Sequence, residues 1–267
     1  MKDCCIIIPI YNVTPTATEV LSIKRNCTVL KDYDIYFIHP FFMNISAYEQ
    51  LITEIFMEHI KTSDKSVKDT FNNNTHFFAF KKKYFKSNKT YSRLLLSEDF
   101  YRQFIKYEYM LIAQTDTYIL NTEHSLKEFI DTASAKNYSY IGAPWPDGPF
   151  CKPYSLKDYV KLMVIKEPSN IHVGNGGFSL RHVVNCINLI RKNQALLTFG
   201  WRFNEDMFFS YLGSKEGSEY RVADTVTAGN FALETNMREE IEKGHIPYAV
   251  HAFEKYYSTD ELTSLTP

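Results

Sequence analysis

Two short segments of this chain carry residue types able to do chemistry. In Asn175-Gly176-Gly177-Phe178-Ser179-Leu180-Arg181, adjacent glycines open an apolar run. Without side chains, the backbone there can approach a ligand closely. About twenty-five residues on, Trp201-Arg202-Phe203-Asn204-Glu205-Asp206 joins an aromatic ring to a pair of carboxylates. Such a pair can grip a hydroxyl group and remove its proton as a bond forms at its oxygen. Asp206 is the expected base and Glu205 the group that orients the incoming hydroxyl. The competing reading is capping, since first-turn carboxylates also suit a helix N-terminus. Asn204 can fill the cap equally well. Asn175, Gly176, Gly177 and Trp201 are expected to contact the molecule that accepts the transferred group. Trp145, held between Pro144 and Pro146, is either a further stacking platform or a core plug.

A third segment, Gln114-Thr115-Asp116-Thr117, closes an apolar run with a single carboxylate. A carboxylate at a strand end can bind a divalent ion that neutralises phosphate oxygens. Alone it holds Mn²⁺ or Mg²⁺ weakly, and His251 in Tyr248-Ala249-Val250-His251-Ala252-Phe253 is the candidate second ligand. If no ion binds, Arg181, Lys255 or the Lys81 cluster would have to supply the positive charge. Pro9, Tyr11 and Asn12 follow the first apolar run and are expected beside Gln114, Thr115 and Asp116.

These residues need a scaffold, and the periodicities describe one. Cys4 to Ile10, Asp34 to His39, Thr75 to Phe80, Tyr109 to Gln114 and Tyr138 to Gly142 read as strands. Helices are expected from Thr14, with Pro15 at its first position, to Cys27 and over Ser46 to Ile60. Ser92 to Lys106 and Glu123 to Ala135 also read as helices. This alternation predicts an α/β fold, a mostly parallel sheet flanked by helices. Ligands of such sheets gather at the carboxyl ends of the strands. Beyond Gly142 the expectation is helices over Ser155–Ile165, His182–Lys192 and Glu205–Gly213. Short strands are expected at Gly176–Leu180, Tyr220–Ala223, Phe231–Glu234 and Ala249–Phe253.

At 267 residues the chain can bury a sizeable core. Lys and Arg number 30 against 31 Asp and Glu, so the basic footprint of a nucleic-acid binder is missing. A local basic run, Lys81-Lys82-Lys83 with Lys86 and Lys89, reads as a solvated loop or as a contact for anionic lipid. Five cysteines without a C-x-x-C pair argue against a disulfide framework and a structural zinc site. The N-terminus is too acidic and too short of apolar residues for a signal peptide, and no run reaches the ~18 apolar residues of a membrane span. The expected location is cytoplasmic, extending to the inner face of a membrane.

The ordered set of Ile-Pro strand, Tyr109–Leu120, Tyr140-Ile141-Gly142-Ala143-Pro144-Trp145, Asn175–Arg181, Asn204-Glu205-Asp206-Met207-Phe208-Phe209 and His251-Ala252-Phe253 resembles a known family. It is a bacterial family of proposed glycosyltransferases, long catalogued as a domain of unknown function. The resemblance implies an A-type nucleotide-sugar transferase fold as a single domain over 1–267. Residues 1–142 would bind the nucleotide sugar, UDP-linked by expectation, and 143–267 the glycan or glycolipid acceptor. The order of Gly-Gly, Trp and Glu-Asp is similar to that of inverting β-galactosyl- and β-N-acetylglucosaminyltransferases. That similarity gives Asp206 the role of base and Asp116 that of metal ligand. Gln114 stands where such families place the first Asp of an Asp-x-Asp motif. A retaining or metal-independent transferase, or a sugar-binding module with a degenerate site, therefore stays open.

Overall fold

The computed structural model describes residues 2–60, 74–151, 169–215 and 218–265. In chain order the elements are β1 (Lys2–Pro9), α1 (Ala17–Val29), β2 (Asp34–Pro40), α2 (Ser46–Ile60) and β3 (Thr75–Phe80). A 3₁₀ turn (Lys82–Phe85) precedes α3 (Asn88–Leu95), α4 (Glu98–Arg102), β4 (Tyr107–Ala113) and β5 (Thr117–Ile119). Next come α5 (Leu126–Lys136), β6 (Tyr138–Pro144), the two-residue strands β7 (Phe150–Cys151) and β8 (Ser169–Asn170), then β9 (Val173–His182). The chain continues through α6 (Val183–Lys192), α7 (Gln194–Phe199), α8 (Glu205–Gly213) and β10 (Arg221–Val222). It closes with α9 (Thr225–Phe231), β11 (Ala232–Leu233), α10 (Met237–Glu242), β12 (Ala249–His251) and α11 (Thr259–Ser264).

A seven-stranded sheet in the order β10-β6-β9-β4-β1-β2-β3 forms the centre. Its neighbours pair in parallel except around β9, which runs against both β4 and β6. The start of β9 therefore meets the carboxyl ends of the other strands. That places Gly176 and Gly177 beside Gln114, whose N–H donates to the Gly177 carbonyl at 2.9 Å. A small sheet, β11-β12-β5, carries Thr117 opposite His251 at the same edge.

Both faces of the large sheet are covered. One core gathers Ile6, Ile8, Phe37, Leu111 and Phe178 with α1, α2 and α5, and the other gathers Ile7, Ile38, Met110, Ile112 and Tyr140 with α3, α4, α6 and α8. Burial of β1 from Cys4 onward and of all of β2 explains why they read as apolar runs.

Several expected boundaries move. The cap of α1 is Thr16, with Glu19 completing a capping box, so the helix starts at Ala17 instead of Pro15. The helix expected over Ser92–Lys106 is two helices, because the chain leaves helical geometry at Ser97 before the acidic first turn of α4. The short strand at Gly176–Leu180 is the longer β9, extended by pairing on both sides. The helix expected at Ser155–Ile165 lies outside the described residues. Among the described residues no helix is long and apolar enough to cross a membrane.

Candidate active site

At the carboxyl edge of the sheet lies a cleft of about 670 Å³, lined by Pro9, Tyr11, Asn12, Gln114, Thr115 and Asp116 together with α1, α3 and β12 residues. The strand ends are tied by one buried carboxylate that sequence reasoning missed, Glu19. It accepts from Asn12 Nδ2 at 3.0 Å, from Thr16 N at 2.8 Å and from Thr115 Oγ1 at 3.3 Å. Its place in the first turn of α1 favours the charge. The signal was present as Thr16-x-x-Glu19, the capping-box spacing.

The floor of the cleft is a charged row. His251 Nε2 lies 3.4 Å from Asp116 Oδ1, and its Nδ1 lies 2.9 Å from Asn175 Oδ1 and 3.7 Å from Glu234 Oε2. Burial opposes the imidazolium, but Asp116 and Glu234 outweigh it and hold His251 up at about 9. The Asp116–His251 separation suits two neighbouring ligands of one hard cation, which at metal–oxygen distances of ~2.1 Å sit ~3 Å apart. With Nδ1 bonded to Asn175, Nε2 could face an ion only after giving up the proton it directs at Asp116. Among the described residues no third His, Cys, Asp or Glu converges on the same point.

Beside the cleft, sharing Tyr91, Gln114, Glu234 and His251 with it, is a second cavity of about 230 Å³. Asn175, Gly176, Gly177, Asn204, Glu205 and Asp206 line it. The glycines are demanded by space. A Cβ on Gly177 would stand 2.2 Å from the His251 ring, and one on Gly176 3.0 Å from Glu205 Oε1. Asp206 is half-buried in the first turn of α8, and its Oδ1 accepts from Met207 N at 2.7 Å. Burial, reinforced by the charge of Glu205, pushes its carboxyl up to about 7.

Glu205 turns inward and departs from the acceptor-orienting role. Its Oε2 accepts from Ser92 Oγ at 2.6 Å and its Oε1 pairs with Arg181 Nη2 at 3.2 Å, so both oxygens are engaged. Arg181 is fully buried and therefore is no candidate for diphosphate contact. Its guanidinium also donates to Ser179 Oγ and Tyr101 Oη and lies against the stacked rings of Tyr140 and Phe209. Lys81, Lys82 and Lys83 are exposed and do not line the cleft, whereas Lys86 and Lys255 do. Asn204 occupies the cap position of α8 without a side-chain capping bond.

Trp145 and Trp201 are not brought to either cavity. Trp145 packs on the core beneath β9, and Trp201 packs on Phe203 and Phe208 while donating to the Asn204 carbonyl at 3.1 Å. Trp201 thus holds the entry to α8. Tyr91, also missed, stands where the two cavities meet, with a buried hydroxyl that has no hydrogen-bond partner among the described residues.

A sequence profile of a family described as a protein of unknown function, DUF5672, matches residues 74–251. The chain belongs to that family. The matched segment runs from the edge strand β3 to His251 and so contains both carboxylates of α8 and the Gly-Gly pair. No functionally curated protein matches the chain. In three dimensions it is similar to the bifunctional glycosyltransferase WbbM, with a TM-score of 0.53 and 12% identity over 99% of this chain and 49% of that one. The chain thus spans about half the length of WbbM. It is similarly close to the galactosyltransferase LgtC, solved with donor and acceptor sugar analogues. There the TM-score is 0.52 and the identity 11%, over 97% of this chain and 94% of that one. These likenesses establish the A-type glycosyltransferase fold; at such identities they speak of the fold alone.

Proposed function

We propose that this protein transfers a sugar from a nucleotide-sugar donor, UDP-linked, to a hydroxyl of a glycan or glycolipid acceptor, with inversion at the anomeric carbon. The observation that carries the reading is Asp206. It is a carboxylate raised to about 7, in a small cavity that opens beside a cleft large enough for a nucleotide sugar. A base is most effective when its pKa lies near the working pH, because it is then both available and basic enough to take a proton. The likeness to LgtC and WbbM supports the fold that the reading needs.

In this reading the base stacks near Tyr11, while Asn12 and Thr115, held by Glu19, meet the ribose and phosphates. Asp116 and His251 would hold a divalent ion, Mn²⁺ or Mg²⁺, which would neutralise diphosphate charge when bound. Lys86 and Lys255 line the same cleft. An acceptor hydroxyl enters the second cavity along Asn175–Gly177, where the glycines leave room for it. Asp206 takes its proton as the new glycosidic bond forms. Arg181 and Ser92 hold Glu205, and Glu205 in turn fixes the first turn of α8 and keeps the Asp206 carboxyl basic.

Purified protein incubated with UDP-hexoses and a panel of glycan and glycolipid acceptors tests this, read by UDP release and by NMR of the product anomer. Asp206→Asn, which keeps size and shape, should lower kcat by ~10²–10⁴ with the donor KM nearly constant. Excess EDTA should cut the rate severely if the ion assists. Wild-type turnover by Asp206→Asn would remove the base assignment, a retained anomeric configuration would remove inversion, and full activity in EDTA would remove the ion.

A further inference from the structure

From the rim of the cleft we infer a docking surface for an anionic phospholipid bilayer, independent of which reaction the site performs. The carboxyl ends of β1, β2 and β3 lie in a row; the loops that leave β1 and β3 line the cleft, and the loop that leaves β2 lies between them on the same sheet edge. After β2, Phe41 is 46% exposed and Phe42 is entirely exposed at 105%. Phe42 is held out in a left-handed conformation, φ 65°, that a bulky side chain seldom adopts. The two rings lie side by side, with centroids 6.3 Å apart. After β1, Tyr11 and Val13 are each 56% exposed on the same edge.

The basic run adjoins these rings directly. Phe41 N–H donates to the Phe80 carbonyl at 2.8 Å, which sets Phe41 alongside Lys81. Lys81, Lys82, Lys83, Lys86 and Lys89 are all exposed on the 3₁₀ turn and the start of α3. No carboxylate is recorded paired with any of them among the described residues. Apolar and aromatic tips ringed by unpaired lysines match the two layers of an anionic membrane surface, headgroup charge outside and acyl chains beneath. The chain as a whole is near neutral, with 30 basic against 31 acidic residues, so this edge is a local exception. A bilayer contacting it would face the mouth of the cleft, where a lipid-linked acceptor can enter without leaving the membrane.

The test is co-sedimentation of the full chain with vesicles of phosphatidylcholine alone and with ~30% phosphatidylserine. Each lysine near such a surface contributes about five-fold in partitioning. Binding should therefore require phosphatidylserine and weaken steeply as salt shortens the screening length. Lys81→Ala/Lys82→Ala/Lys83→Ala should lose on the order of a hundred-fold in partitioning. Phe41→Ser/Phe42→Ser should lose the binding that persists at high salt. All five side chains are exposed, so unchanged melting temperatures should show that both variants fold as wild type. Failure to sediment with anionic vesicles, equal binding to both compositions, or unchanged binding by the lysine variant overturns the proposal. None of these outcomes bears on whether UDP is released in the transfer assay, so the two readings fail separately.

Discussion

The large cleft and the cavity beside it share a wall, yet they are held in opposite ways. The cleft hangs on one anion, Glu19, which collects hydrogen bonds from three neutral donors on two segments. The cavity hangs on one cation, Arg181, fully buried with Glu205 and aromatic rings around it. Each bond to Glu19 comes from a neutral donor, so loss of one leaves the other two in place and strands no countercharge. A buried ion pair behaves differently. Removal of either partner strands a charge in a medium that solvates it poorly. The cleft can therefore adapt to its ligand, whereas the cavity is either assembled or not.

The largest effect follows from that contrast. Arg181→Met keeps an apolar stem of similar length beside Tyr140 and Phe209 but leaves Glu205 unpaired in the core. Unfolding free energy should fall by ~3–5 kcal/mol, read as a shift of the denaturant midpoint at constant m-value. Adding Glu205→Leu should recover part of the loss, because no buried charge then remains. A loss under ~1 kcal/mol in the single variant would mean that water reaches the pair, and the contrast with the cleft would disappear.

A smaller effect separates stability from catalysis inside the cavity. Asp206 is raised from 3.8 to about 7, so the folded protein binds its proton more tightly than the unfolded chain does. Its contribution to stability is fully present below pH ~4, declines through the interval, and is lost above pH ~7. Asp206→Asn should match wild-type stability at pH 4 and exceed it at pH 8 by on the order of 1–3 kcal/mol. Transfer by the wild type should rise with pH through ~7, where the base becomes free. Equal pH–stability curves for the two proteins would show that Asp206 is solvated in solution.

The contrast also explains what could be read from the residues alone. Strand ends announce themselves, since β1, β2 and β4 are largely apolar runs that end at Pro9, Pro40 and Ala113. The cleft residues were therefore legible as a group. Arg181 was not, because Phe178-Ser179-Leu180-Arg181 alternates like a strand with one wet face. Here helices cover both faces, so the polar positions are buried as well and Arg181 finds Glu205 on α8. That partnership is 24 residues apart in sequence and is set by tertiary packing. Trp201 misled for a related reason. Aromatic character alone does not distinguish a sugar platform from a ring that packs against the start of a helix. The break of the expected helix at Ser97 shows the same limit, since a cap in mid-pattern overrides a continuous apolar period.

The subtlest test lies on the adaptable side. Glu19→Gln keeps the length of the side chain and its carbonyl oxygen, so Asn12 or Thr115 can still donate to it. The amide offers fewer acceptor positions than the carboxylate and carries no charge at the positive end of α1. Weakening the capping box should cost about 1 kcal/mol in unfolding free energy. With Asn12 and Thr115 less firmly held, affinity for UDP should fall about three- to ten-fold, measured by calorimetry. Because α8 and β9 are anchored through Arg181 and, among the described residues, make no hydrogen bond to Glu19, kcat at saturating donor should stay within about two-fold of wild type. A drop in kcat as large as the drop in affinity would show that the two frames are mechanically one. Glu19 would then have to be counted with the groups that place Asp206, not with those that merely shape the donor cleft.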